Sequence, residues 1–225
     1  MKNKAKDVIS AEQILQVYKF GIFPMAENRS SKYINFIKPK KRALLPIKKF
    51  HCSKSLKRFV LKKPFTVTIN CNFKKVIHSC ATINREETWI NELIENKFCE
   101  LHNLGYAHSI ECWKNNKIVG GIYGISLGGC FFAESMFSLI SNASKFALLN
   151  LVARLYFLNY SMLDVQFLNR HLLQFGAYEI SQNLFQKKLS ICLDQDLDFL
   201  SKISYDDESL FKSVLLYLHD IKVKS

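Results

Sequence analysis

Residues 107–138 read AHSIECWKNNKIVGGIYGISLGGCFFAESMFS, and this stretch decides the fold. Val, Ile, Tyr and Phe recur on either side of two turn signals, Asn115-Asn116 and Gly128-Gly129. Both dipeptides accept the positive φ of tight turns. The stretch therefore divides into three consecutive, antiparallel strands: Ala107 to Trp113, Lys117 to Leu127 and Cys130 to Met136. Glu134 follows the apolar run Cys130-Phe131-Phe132-Ala133, where an unpaired carboxylate is costly unless a partner or a substrate offsets it. The same residues thus predict a sheet and a site on it.

Upstream, Phe65 to Asn70 alternates as a strand, and Phe73 to Cys80 and Trp89 to Leu104 read as helices, the second stopped by Gly105. Ala11 to Tyr18 has helical spacing closed by Gly21. Downstream, Ser141 or Asn142 can cap a long helix to about Tyr160. Met162 to Phe167 is a short buried strand, and Arg170 to Phe175 is a helix stopped by Gly176. The expected class is α/β (α+β): a mixed-sheet domain over residues 65–192, preceded by a small basic N-terminal domain over 1–64 and followed by a C-terminal helical tail over 193–225. The tail is acidic from Asp194 to Glu208, then amphipathic through Leu210, Val214, Leu215 and Leu218, as a packed or an oligomerising helix would be.

The order of two helices, three meander strands, a long helix, a strand and a helix resembles the acyltransferase fold of the N-acetyltransferase type. Members of that fold that use CoA carry a Gly-rich pyrophosphate loop at the start of the long helix. Here the segment is Ile140-Ser141-Asn142-Ala143-Ser144-Lys145, with no glycine.

A chain of 225 residues with 48% hydrophobic content can bury a full core. No run of about eighteen apolar residues spans a bilayer, and Met1-Lys2-Asn3-Lys4 leads into a polar stretch, so a cytoplasmic protein with no membrane partner is expected. Its seven cysteines form no C-x-x-C pair and its six histidines no H-x-x-x-H spacing. No metal and no cofactor are expected. Residues 1–75 carry 19 Lys/Arg against 3 Asp/Glu, a net of +16, while residues 76–225 carry 13 against 16, a net of −3. The basic character belongs to the first third. It is densest from Lys38 to Lys63, including Lys40, Lys41, Arg42, Lys54, Lys57 and Arg58, with Phe36, Phe50 and Phe59 interleaved. Such a surface attracts phosphates and stacks bases, which makes a nucleic acid the natural partner. A general lysine bias is the alternative, and the acidic remainder of the chain argues against it.

Gly-Ile-Phe-Pro (21–24), Thr88-Trp89-Ile90, His108-Ser109-Ile110-Glu111, Gly120-Gly121-Ile122-Tyr123-Gly124, Glu134-Ser135-Met136-Phe137-Ser138, Asn142-Ala143-Ser144-Lys145, Asp164-Val165-Gln166 and Phe175-Gly176-Ala177-Tyr178-Glu179-Ile180 occur in this order. Together they resemble the bacterial leucyl/phenylalanyl-tRNA-protein transferase family over roughly residues 11–190. The resemblance implies an aminoacyltransferase that moves Leu or Phe, with Met as a further donor, from charged tRNA onto a protein beginning with Arg or Lys, marking it for N-end rule degradation. An aminoacyl ester is already activated, so such an enzyme positions an amine, takes its proton and stabilises an oxyanion. Asp164 and Gln166, two apart on a predicted strand, would share a face and reach one reacting group. Asp164 would supply charge, and Gln166, which cannot titrate, would orient or relay. A structural ion pair is the other reading of Asp164.

By the same resemblance Glu134 helps bind the acceptor's basic residue; a salt bridge to Lys145 or Arg154 is its alternative. Ile122, Phe131, Met136, Leu151 and Leu163 would line an apolar donor pocket, and Trp89 would stack on the terminal adenosine. Ser144 and Lys145 would cap the long helix or bind an anion. The chain departs from the family at Met25, where Trp is typical, and at Phe36-Ile37-Lys38-Pro39-Lys40-Lys41-Arg42, where Trp-Trp-Ser-Pro-x-Pro-Arg is typical. Lysine contacts to phosphate would then replace stacking. An acyl-CoA-dependent acyltransferase and a tRNA-binding homologue without activity are the competing functions.

Overall fold

A computed structural model describes residues 9–83, 87–201 and 206–223, so the Met1-Lys2-Asn3-Lys4 run lies outside the described residues. Ser10 and Gln13 form a capping box at the start of α1 (Ala11–Lys19), whose Ile14, Leu15 and Tyr18 face inward. A ribbon of β1 (Phe23–Met25) and β2 (Asn35–Ile37) follows, then β3 (Lys41–Leu44), α2 (Lys54–Val60), β4 (Thr66–Ile69), α3 (Phe73–Thr82) and α4 (Glu92–Asn103). The last begins three residues later than expected because Asn91, still extended, accepts the Ile94 amide as its cap. The meander is β5 (Ala107–Lys114), β6 (Lys117–Leu127) and β7 (Cys130–Ser138), antiparallel throughout. Then come α5 (Ala143–Phe157), β8 (Met162–Asp164), α6 (Arg170–Leu173), β9 (Tyr178–Ser181), α7 (Gln182–Leu193) and α8 (Asp207–Val223).

Seven strands form one mixed sheet in the order β4-β5-β6-β7-β8-β3-β9, in which only β7 and β8 run parallel. The position of β3 corrects the expected division at residue 64. Residues 41–44 stand inside the main sheet between β8 and β9, and Ala43, Leu45, Phe50, Leu56 and Val60 share a core with α5. That core also takes in α8, while α1, α3, α4 and α7 cover the other face. Burial on both faces explains why the strands read as nearly continuous apolar runs.

Two glycines of β6 mark close approaches. A Cβ on Gly120 would lie 2.5 Å from the Ala143 Cβ, so α5 starts directly against the strand. A Cβ on Gly124 would lie 2.2 Å from the Phe132 carbonyl oxygen.

The tail is a packed element. Tyr217 donates to the Ile47 carbonyl at 2.7 Å, and Lys63 pairs with Asp207 and Glu208 at 2.8 and 2.9 Å. Just before α8, the buried Phe199 stacks on His108 at 4.5 Å and packs against Phe131 at 5.1 Å. Its carbonyl accepts two hydrogen bonds from Arg154, at 2.9 and 2.6 Å. No helix among the described residues is long and apolar enough to cross a membrane.

Candidate active site

The site begins at an irregularity in the sheet. β6 and β7 pair from Gly120 with Ser138 to Tyr123 with Ser135, and pairing resumes at Gly124 with Ala133. Glu134 is the extra residue of a β-bulge. A regular strand turns alternate side chains to opposite faces, but here Ala133, Glu134, Ser135 and Met136 all line one cavity of about 310 Å³. Its other walls are Phe23 and Met25 of β1, Trp89, Ile122, Leu148 of α5, and the Val165–Phe167 turn with Asn169 and Leu172. The result is an apolar chamber with a carboxyl and an amide on its wall.

Glu134 Oε1 accepts from the Tyr18 hydroxyl at 2.7 Å and from Gln166 Nε2 at 2.8 Å. Neither bond uses Oε2, which stays available to a ligand. Desolvation pushes the Glu134 carboxyl up to about 8, and the charge of nearby Asp164 works in the same direction. The bonds from Tyr18 and Gln166 and the charge of Arg42 offset part of it. Tyr18 is raised well above an ordinary phenol by burial and by the adjacent Glu134, so it remains a donor. The alternative salt bridges of Glu134 do not form: Lys145 donates to Gln174 at 3.1 Å and Arg154 to the Phe199 carbonyl.

Asp164 stands behind this cluster. Its side chain is 0% exposed and receives Arg42 Nε at 2.9 Å on each oxygen and Arg42 Nη2 at 2.5 Å. The Gln166 amide donates to its Oδ1 at 3.0 Å. With both oxygens engaged and no face on the cavity, Asp164 corrects the expectation of a group that meets the amine. Gln166 is not on the strand with it either, since β8 ends at Asp164 and Gln166 has a φ of 56°, in the left-handed region. That turn swings the Gln166 side chain toward Glu134, and Asp164 holds the turn through its backbone amide.

Arg42 is corrected likewise, from a phosphate contact to the buried partner of Asp164. Its guanidinium lies between the rings of Phe23 and Phe185, 4.6 Å from each centroid, and donates to the Gly21 carbonyl at 2.9 Å. Burial works to lower its pKa, but the charge and hydrogen bonds of Asp164, together with nearby Tyr18 and Glu134, raise it on balance. Of the other expected tRNA contacts, Lys40, Lys41, Lys54 and Arg58 are exposed and Lys57 is half-buried; Lys41 pairs with Glu179 at 3.2 Å.

Of the five residues expected to form a donor pocket, Ile122 and Met136 line the cavity and Phe131, Leu151 and Leu163 do not; Trp89, expected to stack on the terminal adenosine, stands on the cavity wall as well. Phe131 packs against Phe199, and Leu151 and Leu163 are fully enclosed in the core, so periodic apolar residues beside the site were core after all. Missed were Tyr18, Phe23, Leu148, Phe167 and Asn169. The signal for Tyr18 is a hydroxyl on the buried face of an amphipathic helix, three residues before Gly-Ile-Phe-Pro. At the start of α5, Ser144 donates its amide to the Ser138 hydroxyl at 3.1 Å, while Asn142 makes no side-chain cap. The described residues include no group of three His, Cys, Asp or Glu side chains that could hold a metal ion.

An apolar chamber that ends on an oriented carboxyl, beside an amide and a phenol, suits an enzyme that presents an amine to an activated acyl group. An acyl-transferring enzyme is a class that such a site fits. Residues 44–190 match the family described as leucyl/phenylalanyl-tRNA protein transferase, and the chain belongs to that family. A Maricaulis maris protein named leucyl/phenylalanyl-tRNA-protein transferase is 47% identical over 191 residues, 84% of this chain and 88% of the relative. Proteins of the same name from Zymomonas mobilis and Phenylobacterium zucineum are 48% identical over 185 residues and 44% over 191, covering 81% and 84% of this chain and 69% and 86% of the relatives.

Proposed function

We propose that the protein moves Leu or Phe, and Met as a further donor, from charged tRNA to the N-terminal α-amine of cytoplasmic proteins beginning with Arg or Lys, marking them for N-end rule degradation. The observation that carries this reading is Glu134, held by Tyr18 and Gln166 at the wall of an apolar cavity with Oε2 open. An α-ammonium titrates near 7.7–8.0, close to the value of about 8 to which Glu134 is pushed. Proton transfer between groups so matched has little driving force in either direction, which suits a base that must later act as an acid.

The steps follow from that match. Glu134 Oε2 takes a proton from the acceptor ammonium, and the freed amine attacks the ester carbonyl carbon. The new C–N bond leaves a cationic nitrogen with two protons; as the tetrahedral intermediate collapses to an amide, the C–O bond to the ribose breaks, the proton on Glu134 passes to the departing oxygen, and the freed carboxylate takes the second proton from the nitrogen and releases it to solvent. Gln166 orients the carboxyl, while Asp164 and Arg42 fix the turn that carries Gln166. Ile122 and Met136 enclose the apolar acyl side chain, with flexible Met136 accommodating both branched and aromatic groups, and Trp89 on the cavity wall stacks on the terminal adenosine. Exposed Lys40, Lys41, Lys54 and Arg58, with Lys57, meet phosphates.

The succession of meander, long helix, strand and helix supports an N-acetyltransferase-like descent for the sheet. A CoA-dependent activity is disfavoured by Ala143, fully buried against Gly120 where a pyrophosphate loop would start. The test offers each charged tRNA to peptides that differ only in residue one. Leu and Phe should pass to Arg- and Lys-initiated peptides, RNase should abolish transfer, and Glu134→Gln should lower kcat by about 10²-fold or more. Acyl transfer from CoA that survives RNase would refute the proposal.

A further inference from the structure

A groove of about 630 Å³ lies between residues 48–57 and the end of α8. Lys48, Lys49, Lys54, Lys57 and Lys222 line it, and no carboxylate does. None of these five ammonium groups forms an ion pair among the described residues. The acidic groups of α8 are engaged elsewhere: Asp207 and Glu208 hold Lys63, and Asp220 accepts from the Tyr156 hydroxyl at 3.1 Å. Like charges gathered around one hollow repel one another and raise a strong local positive potential, which a polyanion relieves.

The positive floor continues. A neighbouring hollow of about 480 Å³ shares Lys48 and Lys49 and adds Lys188 beside Tyr178. This hollow sits at the Ser161–Leu163 end of β8, whereas the catalytic cavity sits at the Val165–Phe167 end. The catalytic cavity shares no lining residue with this hollow or with the groove, so whatever fills the groove is a part of a large ligand other than the part that reacts. The wall made by α8 lies outside residues 44–190, the stretch that matches the family.

We propose that this groove docks the sugar-phosphate backbone of the donor RNA away from its reacting end, with α8 as one wall and Lys222 among its contacts. The inference rests on the tRNA-dependent reading above. Its test is the triple variant Lys48→Gln, Lys49→Gln, Lys222→Gln, assayed with two donors, charged tRNA and aminoacyl-adenosine, which lacks the RNA body. KM for charged tRNA should rise about tenfold or more, and the slope of log affinity against log salt for uncharged tRNA should shrink by about 3. Transfer from aminoacyl-adenosine should not change, and the corresponding Lys→Arg variant should behave as the parent. An unaltered KM and salt slope would overturn the proposal, as would an equal loss with both donors. Binding to anionic phospholipid vesicles that the three changes abolish, with RNA affinity intact, would overturn it too. If the parent protein transfers from neither donor, the transferase reading fails, and the salt slope for uncharged tRNA still decides the groove.

Discussion

Burial raises the Glu134 pKa while its neighbours pull in opposite directions, and Tyr18 is the neighbour whose removal reads out most cleanly. The phenol donates to the carboxyl and favours the ionised form, so Tyr18→Phe should raise the Glu134 pKa further. A hydrogen bond to a charged group contributes about 1.5 kcal/mol, and 1.36 kcal/mol corresponds to one pH unit. The acidic limb of kcat/KM should therefore move about one unit toward higher pH, with the enzyme less active at pH 7 and recovering at pH 9. A limb that stays in place would show that Tyr18 does not set the charge of Glu134. Glu134 and Gln166 were legible in the sequence because each is a lone polar group in an apolar run. Tyr18 and Arg42 were not, because their partners lie 116 and 122 residues away. Arg42 was further disguised by its place in a lysine-rich stretch, although the apolar Ala43-Leu44-Leu45 that follows it reads as the start of a buried strand.

Among the elements, the meander was legible to within a residue or two because its turns carry Asn-Asn and Gly-Gly. The bulge was not. Two residues opposing one is a property of a pair of strands, and nothing in Cys130–Ser138 alone reveals which residue is left over. Its counterpart in the sequence is Gly124, whose missing side chain lets the Phe132 carbonyl approach. Gly124→Ala places a methyl against that oxygen and should cost about 1–3 kcal/mol of stability. Any relief flattens the bulge and turns Glu134 away from Gln166, so kcat measured well below the new Tm should also fall at least tenfold. Lowered Tm with unchanged kcat would mean that the bulge absorbs the methyl without re-aiming the carboxyl.

For the whole molecule, the segment after residue 190 is as much part of the core as the family-matched stretch. Phe199 fills the space beside His108 and Phe131, and its carbonyl satisfies Arg154. Phe199→Ala should destabilise the protein by about 3–5 kcal/mol, the cost of emptying a buried aromatic site, and lower Tm by roughly 2–4 °C per kcal/mol. A thermal melt within 2 °C of the parent would show that the segment closes up without it. The amphipathic pattern of the tail left packing and oligomerisation equally open, because periodicity marks a face without saying what covers it. The strand at residues 41–44 carries a further consequence, this one in time. Its neighbours in the sheet are residues 163–166 and 178–181, so a chain emerging from the ribosome exposes β3 for more than a hundred residues before either flank exists. At about 5–20 residues per second that wait lasts roughly 6 to 24 seconds, during which an arginine destined for burial remains in water and an unpaired strand is open to wrong partners. The active site is consequently among the last parts of the molecule to assemble, and the step that inserts β3 is where slow folding and chaperone dependence should concentrate.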